Sequence, residues 1–270
     1  MSASAGGPAA APGAATPLSA EVRAALIERL TAMADDELLL GHRDSEWTGH
    51  GPLLEEDIAL ANLAQDEIGH AALWYGLRQA LDGSDPDTLA FRRDPDGFRS
   101  SLLVELPRGD WAFTMLRQFL FDCYEAEALP RLARSAYAPL AEAAAKAHRE
   151  ELFHLRHAGL WVRRLGLGTA ESRARATRAL DELWAALGGL LAPLPGDALL
   201  EAEGVLPDWG AVAEATIARA RRALAEASID PGFDTEVPPA SSREAVSEHR
   251  RELLGTMQSV ARADPEAVAW

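Results

Sequence analysis

Two Glu-x-x-His pairs sit in the apolar stripes of two long helical segments, and the chain must fold so that burying them is tolerable. Around Ala64-Gln-Asp-Glu-Ile-Gly-His-Ala71, residues Leu60, Leu63, Ala64, Glu67, His70, Ala71 and Trp74 keep the i, i+3, i+4, i+7 spacing of one helix face. Around Arg149-Glu-Glu-Leu-Phe-His154, residues Leu140, Ala144, Ala147, Glu151, His154, Leu155 and Ala158 do the same. A lone histidine in such a stripe is commonly a hydrogen-bonded core residue. Two acid–imidazole pairs in matching registers are harder to satisfy that way, because an unpaired buried carboxylate is costly. A shared dication answers both at once.

Helical periodicity extends along almost the whole chain, and no run alternates long enough for a buried strand. A first helix is predicted from Ser19, as N-cap with Glu21 in the first turn, to about Arg43. Trp47-Thr-Gly-His-Gly-Pro52 reads as a turn, and a second helix follows over about Leu54–Leu81. Residues 82–109 read as a long, mostly irregular connection. A third helix is predicted over 110–136, with a kink or early break at Pro130. A fourth covers 139–164 and is closed by Gly166-Leu-Gly168. Further helices are expected near 169–187, 208–227 and 241–262. The predicted fold is all-α: a ferritin-like four-helix bundle with additional C-terminal helices.

Depth within such a bundle selects the remaining ligands. In an antiparallel hairpin, residues equidistant from the turn lie level. Glu37, on the stripe Leu30, Met33, Ala34, Glu37, Leu40, is as far from Pro52 as Glu67 is. Asp122, on the row Met115, Phe119, Asp122, Ala126, Leu129, balances Glu151 about the turn at Ala136 and Tyr137. Glu67 follows Glu37 by 30 residues and Glu151 follows Asp122 by 29, as in an internal repeat. Glu125 satisfies the second balance almost as well, so the third helix offers either Asp122 or Glu125.

The candidate metal set is therefore Glu37, Glu67, His70, Asp122, Glu151 and His154, the inventory of a di-iron or di-manganese carboxylate centre. Such donors suit iron or manganese without excluding zinc. Asp66 and Glu150, just before the ligand glutamates, are candidate outer acceptors for the imidazole N–H groups. His42, His50, His148, His157 and His249 read as structural or surface residues, and no separate catalytic residue is assigned.

A formal charge of −16, from 42 acidic and 26 basic residues, argues against nucleic acid as partner. No apolar run approaches the roughly 20 residues of a membrane span. The single cysteine, Cys123, fits a reducing, cytoplasmic setting. MSASAGGPAAAPGAATP lacks a basic start and a leucine core, so residues 1–18 are expected to form a disordered tail before one helical domain over 19–270.

The segment Leu40-Gly-His-Arg-Asp-Ser-Glu-Trp-Thr-Gly-His-Gly-Pro-Leu-Leu-Glu-Glu-Asp-Ile-Ala-Leu-Ala-Asn62 resembles the C-subunit family of bacterial phenylacetyl-CoA oxygenases, the ring-1,2-epoxidases. So do Leu102-Leu-Val-Glu-Leu-Pro107, Arg117-Gln-Phe-Leu-Phe-Asp122, His154-Leu-Arg156, Leu165-Gly-Leu-Gly-Thr169 and the tail closing on Trp270, over about residues 20–270. The resemblance implies a ferritin-like component of a multicomponent monooxygenase in aerobic phenylacetate degradation. Its catalytic A subunit carries the di-iron centre, and a reductase supplies electrons from NADPH. Phenylacetyl-CoA reaches the C subunit only through the complex. The resemblance further implies a structural role for the C subunit, with part of the ligand set lost. Here both Glu-x-x-His pairs stand intact, so the alternative is a chain that is itself a competent di-iron oxygenase or oxidase.

Overall fold

The computed structural model describes residues 18–230 and 237–264; the predicted N-terminal tail up to residue 17 and the segment closing on Trp270 lie outside these. Among the described residues there are eleven α-helices and no strand. The all-α expectation therefore holds. No helix among them is long and apolar enough to cross a membrane.

The first hairpin joins α1 (Ala20–Ser45) to α2 (Leu54–Asp82). Ser19 caps α1 as expected, its hydroxyl accepting from the Val22 N–H at 3.2 Å. The two helices run antiparallel. Arg78 donates to Thr31 at 2.7 Å, Tyr75 meets Asp35, and Trp74 Nε1 donates to Glu37 at 3.3 Å. At the other end of the contact, Gly41 faces Glu67. Glu37 thus lies opposite His70 and Trp74, about one turn beyond the level expected from Pro52. The connection, which stays irregular as far as Leu53, is not symmetric about that proline.

Residues 82–109, expected to be mostly irregular, contain α3 (Pro86–Phe91), a 3-10 turn (Pro95–Gly97) and α4 (Leu102–Glu105). The Asp-Pro steps explain this, since proline is pre-set for a first helical turn. The second hairpin joins α5 (Trp111–Leu132) to α6 (Ala138–Leu167). Pro130 falls in the last turn of α5, which ends at Leu132, four residues short of the predicted limit. Every residue from Ala112 to Glu125 is buried, because α6, α7 (Ala170–Leu191) and α9 (Trp209–Glu226) surround α5. α7 is as long as α5, so the long helices outnumber the four expected.

A short α8 (Asp197–Ala202) was not legible, and the helix predicted over 241–262 begins only at Glu248. It is split into α10 (Glu248–Met257) and α11 (Ser259–Ala263). The reason lies in Arg243 and in the cap Ser247. Arg243 donates to Asp36 Oδ2 at 2.8 Å, to Arg99 O at 2.8 Å and to Gly189 O at 3.0 Å. Those bonds hold residues 237–247 out of helix and against α7. Gly188 makes the passage possible, since a Cβ there would lie 2.3 Å from the Pro239 carbonyl oxygen.

Candidate metal centre

α1, α2, α5 and α6 each direct acid side chains to one buried point. Two sets of potential ligand atoms lie within 4.8 Å of one another: Glu37, Glu67 and His70, and Glu67, Asp122, Glu151 and His154. All six residues of the sequence-derived set are buried. Glu151 stands between the imidazoles, its Oε1 lying 3.3 Å from His70 Nδ1 and 2.8 Å from His154 Nδ1. The rings themselves are 6.2 Å apart.

The two histidines are held reciprocally. His70 Nε2 meets Glu150 Oε2 at 2.8 Å, and His154 Nε2 meets Asp66 Oδ2 at 3.2 Å. Each imidazole therefore bonds the acid that precedes the other helix's glutamate. With Nε2 engaged as donor, Nδ1 is left facing the cage.

Of the two third-helix candidates, Asp122 and Glu125 are both buried. Asp122 belongs with Glu67, Glu151 and His154, whereas Glu125 stands beside the Glu37 and Glu151 carboxyls, outside both groups of potential ligand atoms. Gln118, a residue the sequence reading did not single out, donates to Glu67 Oε1 at 2.7 Å and to Asp122 Oδ1 at 2.8 Å. The available signal was a polar amide one turn before Asp122 on a helix otherwise apolar on that row. Trp74, read only as core, bonds Glu37.

The protonation pattern follows from crowding five carboxyls in low dielectric. Burial and the neighbouring Glu151 hold the Glu67, Asp122 and Glu125 carboxyls well above the ordinary range. Burial opposes ionisation of Glu151 too, yet His154 and His70 outweigh it and hold it low. Burial likewise disfavours the His70 imidazolium, but the facing carboxylates of Glu151 and Glu37 push it up to about 12. His154 is raised in the same way by Glu151 and Glu67.

The inward-facing atoms decide whether the donor set fits a metal. Glu37 Oε2, Glu67 Oε2, His70 Nδ1, Asp122 Oδ2, Glu125 Oε2, both Glu151 oxygens and His154 Nδ1 are all buried without a hydrogen-bond partner. Native interiors leave few such groups, and here they converge from four helices. Mixed carboxylate and imidazole donors aimed at one point fit a metal pair. Among the described residues, the other histidines stand outside these groups; His157, for example, bonds Glu56 at 2.8 Å.

Helix spacing at the cage is set by Gly41. A Cβ there would stand 2.9 Å from Ala64 O and 3.0 Å from Glu67 Cβ. Gly41→Val is expected to cost about 1–3 kcal/mol by overpacking. It should also weaken metal uptake by moving Glu67 away from Glu37. Thermal unfolding and metal content of the variant check both effects.

Residues 12–270 match the family model described as phenylacetic acid catabolic protein. The C subunit of the 1,2-phenylacetyl-CoA epoxidase of Escherichia coli strain K12 is 34% identical over 234 residues, covering 86% of this chain and 94% of that protein. The A subunit of the same bacterium's enzyme is 25% identical over 163 residues, covering 60% of this chain and 52% of that protein.

Proposed function

The chain belongs to the phenylacetic acid catabolic protein family, and from that premise we propose that it serves as the C subunit of a 1,2-phenylacetyl-CoA epoxidase. The observation that carries this reading is the likeness to such a C subunit along nearly that protein's full length. In this role the chain is a ferritin-like structural partner, residues 19–270 forming one domain that docks on the catalytic A subunit in a cytoplasmic complex. Phenylacetyl-CoA is reached through the complex.

The orphaned inward atoms favour a second element, a di-iron-type metal pair in this chain. Glu37, Glu67, His70, Asp122, Glu151 and His154 would hold it, with Glu125 a further carboxylate within reach. A bound iron pair would supply the capacity to bind and reduce dioxygen. The chain's own groups do the positioning. Glu150 and Asp66 orient the two imidazoles, Gln118 fixes the carboxylates of Glu67 and Asp122, and the surrounding apolar side chains keep water out.

Reconstitution with the A subunit and the reductase tests which chain performs the chemistry. Epoxidation is expected to require this chain and to survive Glu67→Ala in it. Loss of epoxidation in a complex of unchanged assembly would favour the second reading, in which this chain is itself a competent di-iron or di-manganese oxygenase.

A further inference from the structure

Ten large apolar side chains are exposed among the described residues, and eight belong to α2, its N-cap or α6. On α6 they are ordered. Phe153, Leu160 and Leu167 recur every seven residues and are 54%, 49% and 50% exposed. Seven residues return to nearly the same side of a helix, so the three form one exposed apolar line along α6. Arg149, Arg156 and Arg163 keep the same interval along the α9 side of the seam, and all three are exposed. Arg156 has no ion pair among the described residues, and Arg163 reaches only the exposed Glu226, at 3.7 Å. Arg219 and Arg222 of α9 form the far wall of a groove of about 310 Å³ whose floor includes Phe119 and Leu155.

Two helix-interior glycines point the same way. Gly159 on α6 and Gly69 on α2 would each place a Cβ in open space, so nothing within the chain requires them. Glycine inside a helix costs about 1 kcal/mol relative to alanine, and one use of it is close approach by another backbone. On the outer face of α2, Ile58, Asn62, Gln65 and Ala72 line up with Gly69 as an exposed uncharged row. In a chain of net charge −16, such a face is not an ordinary solvated one.

We propose that the seam Phe153–Leu160–Leu167 of α6, with its arginine row, is the docking surface for a helix of the A subunit whose apolar stripe is flanked by Asp and Glu. The partner's identity rests on the functional reading above. Its chemistry rests on charge complementarity, since an apolar stripe between acidic flanks matches an apolar seam beside arginines. A second copy of this chain suits the seam poorly. An antiparallel two-fold contact of α6 with itself sets the arginine row against its own copy.

The experiment uses the full chain co-expressed with the A subunit and measures the dissociation constant by sedimentation, alongside helicity and thermal midpoint of the isolated chain. Leu160→Glu and the double change Arg156→Glu, Arg163→Glu alter exposed side chains only, so both variants should fold as the original does. Each is expected to weaken the complex at least 100-fold. The native complex should also protect backbone amides at 149–167 and 58–76 from hydrogen exchange. Unchanged affinity in both variants would overturn the docking surface while leaving the functional reading intact. A homodimer of this chain broken by Leu160→Glu would assign the seam to a second copy and overturn the proposal. No complex even with the unaltered chain would overturn the functional reading and the docking surface together.

Discussion

Anaerobic loading of the purified chain with ferrous iron is expected to give two metal ions per chain and a higher thermal midpoint, and Glu67→Ala should abolish both. Glu67 is shared by the two groups of ligand atoms, so its loss removes a donor from each. A ligand that binds only the native state stabilises it by mass action, about 2.7 kcal/mol at a hundredfold excess over the dissociation constant. For a chain of this size that corresponds to a rise of roughly 5–10 °C. Chelation should reverse it. The metal-free chain adds a test of opposite sign. Glu67→Leu removes one of five crowded buried carboxyls, relieving the burial and like-charge repulsion that raise it, so it should leave the metal-free midpoint equal or higher. Metal binding must also displace protons from both imidazoles and from the carboxyls, so uptake should strengthen as pH rises. Absence of bound iron, with a midpoint indifferent to chelators, would leave the cage as a set of acids and imidazoles that satisfy one another.

Arg250→Ala is expected to cost about 3–5 kcal/mol, the usual consequence of stripping one partner from a buried ion pair. That is a large share of the roughly 5–15 kcal/mol by which a domain is stable. Arg250 is fully buried in α10 and lies 2.7 Å from Glu105. Its guanidinium also donates to the carbonyls of Ser100 at 3.0 Å, Arg243 at 2.9 Å, Phe98 at 3.2 Å and Pro95 at 3.3 Å. Truncation leaves the buried Glu105 carboxylate without its countercharge, held only by the Ser100 and Ser247 hydroxyls at 2.8 and 2.6 Å, and takes a donor from those carbonyls. The pair joins the C-terminal helices to the connection between α2 and α5, which Asp36 binds from the other side through Ser101 N at 2.6 Å and through Arg243. The urea midpoint should fall, and exchange of amides in α10 should rise. Arg250→Met combined with Glu105→Leu should recover most of the loss, because it removes both charges rather than stranding one. A single variant with an unchanged midpoint would show that the pair contributes little.

The sequence by itself determined the long helices and which acids and imidazoles lie on their apolar stripes. A 3.6-residue period ties each polar residue to its own helix's apolar stripe, so Glu67 with His70, and Glu151 with His154, had to point inward whatever the packing. The turn signals placed α1, α2 and α6 to within a few residues. Only the tertiary structure decided how the helices meet. Rotation and relative depth depend on the shape of the connections and on which side chains let backbones approach, and neither is periodic in sequence. For that reason Glu37 lies one turn beyond its expected level, and Gly41 mattered without carrying any chemistry. Asp122 and Glu125, one turn apart on a helix buried all round, both reach the cage because neighbours surround α5. The crossed bonds of His70 to Glu150 and His154 to Asp66, and the bond of the Gln118 amide to Glu67, join residues 51 or more apart in the chain. No local period carries such a pairing, and it exists only once four helices are in contact.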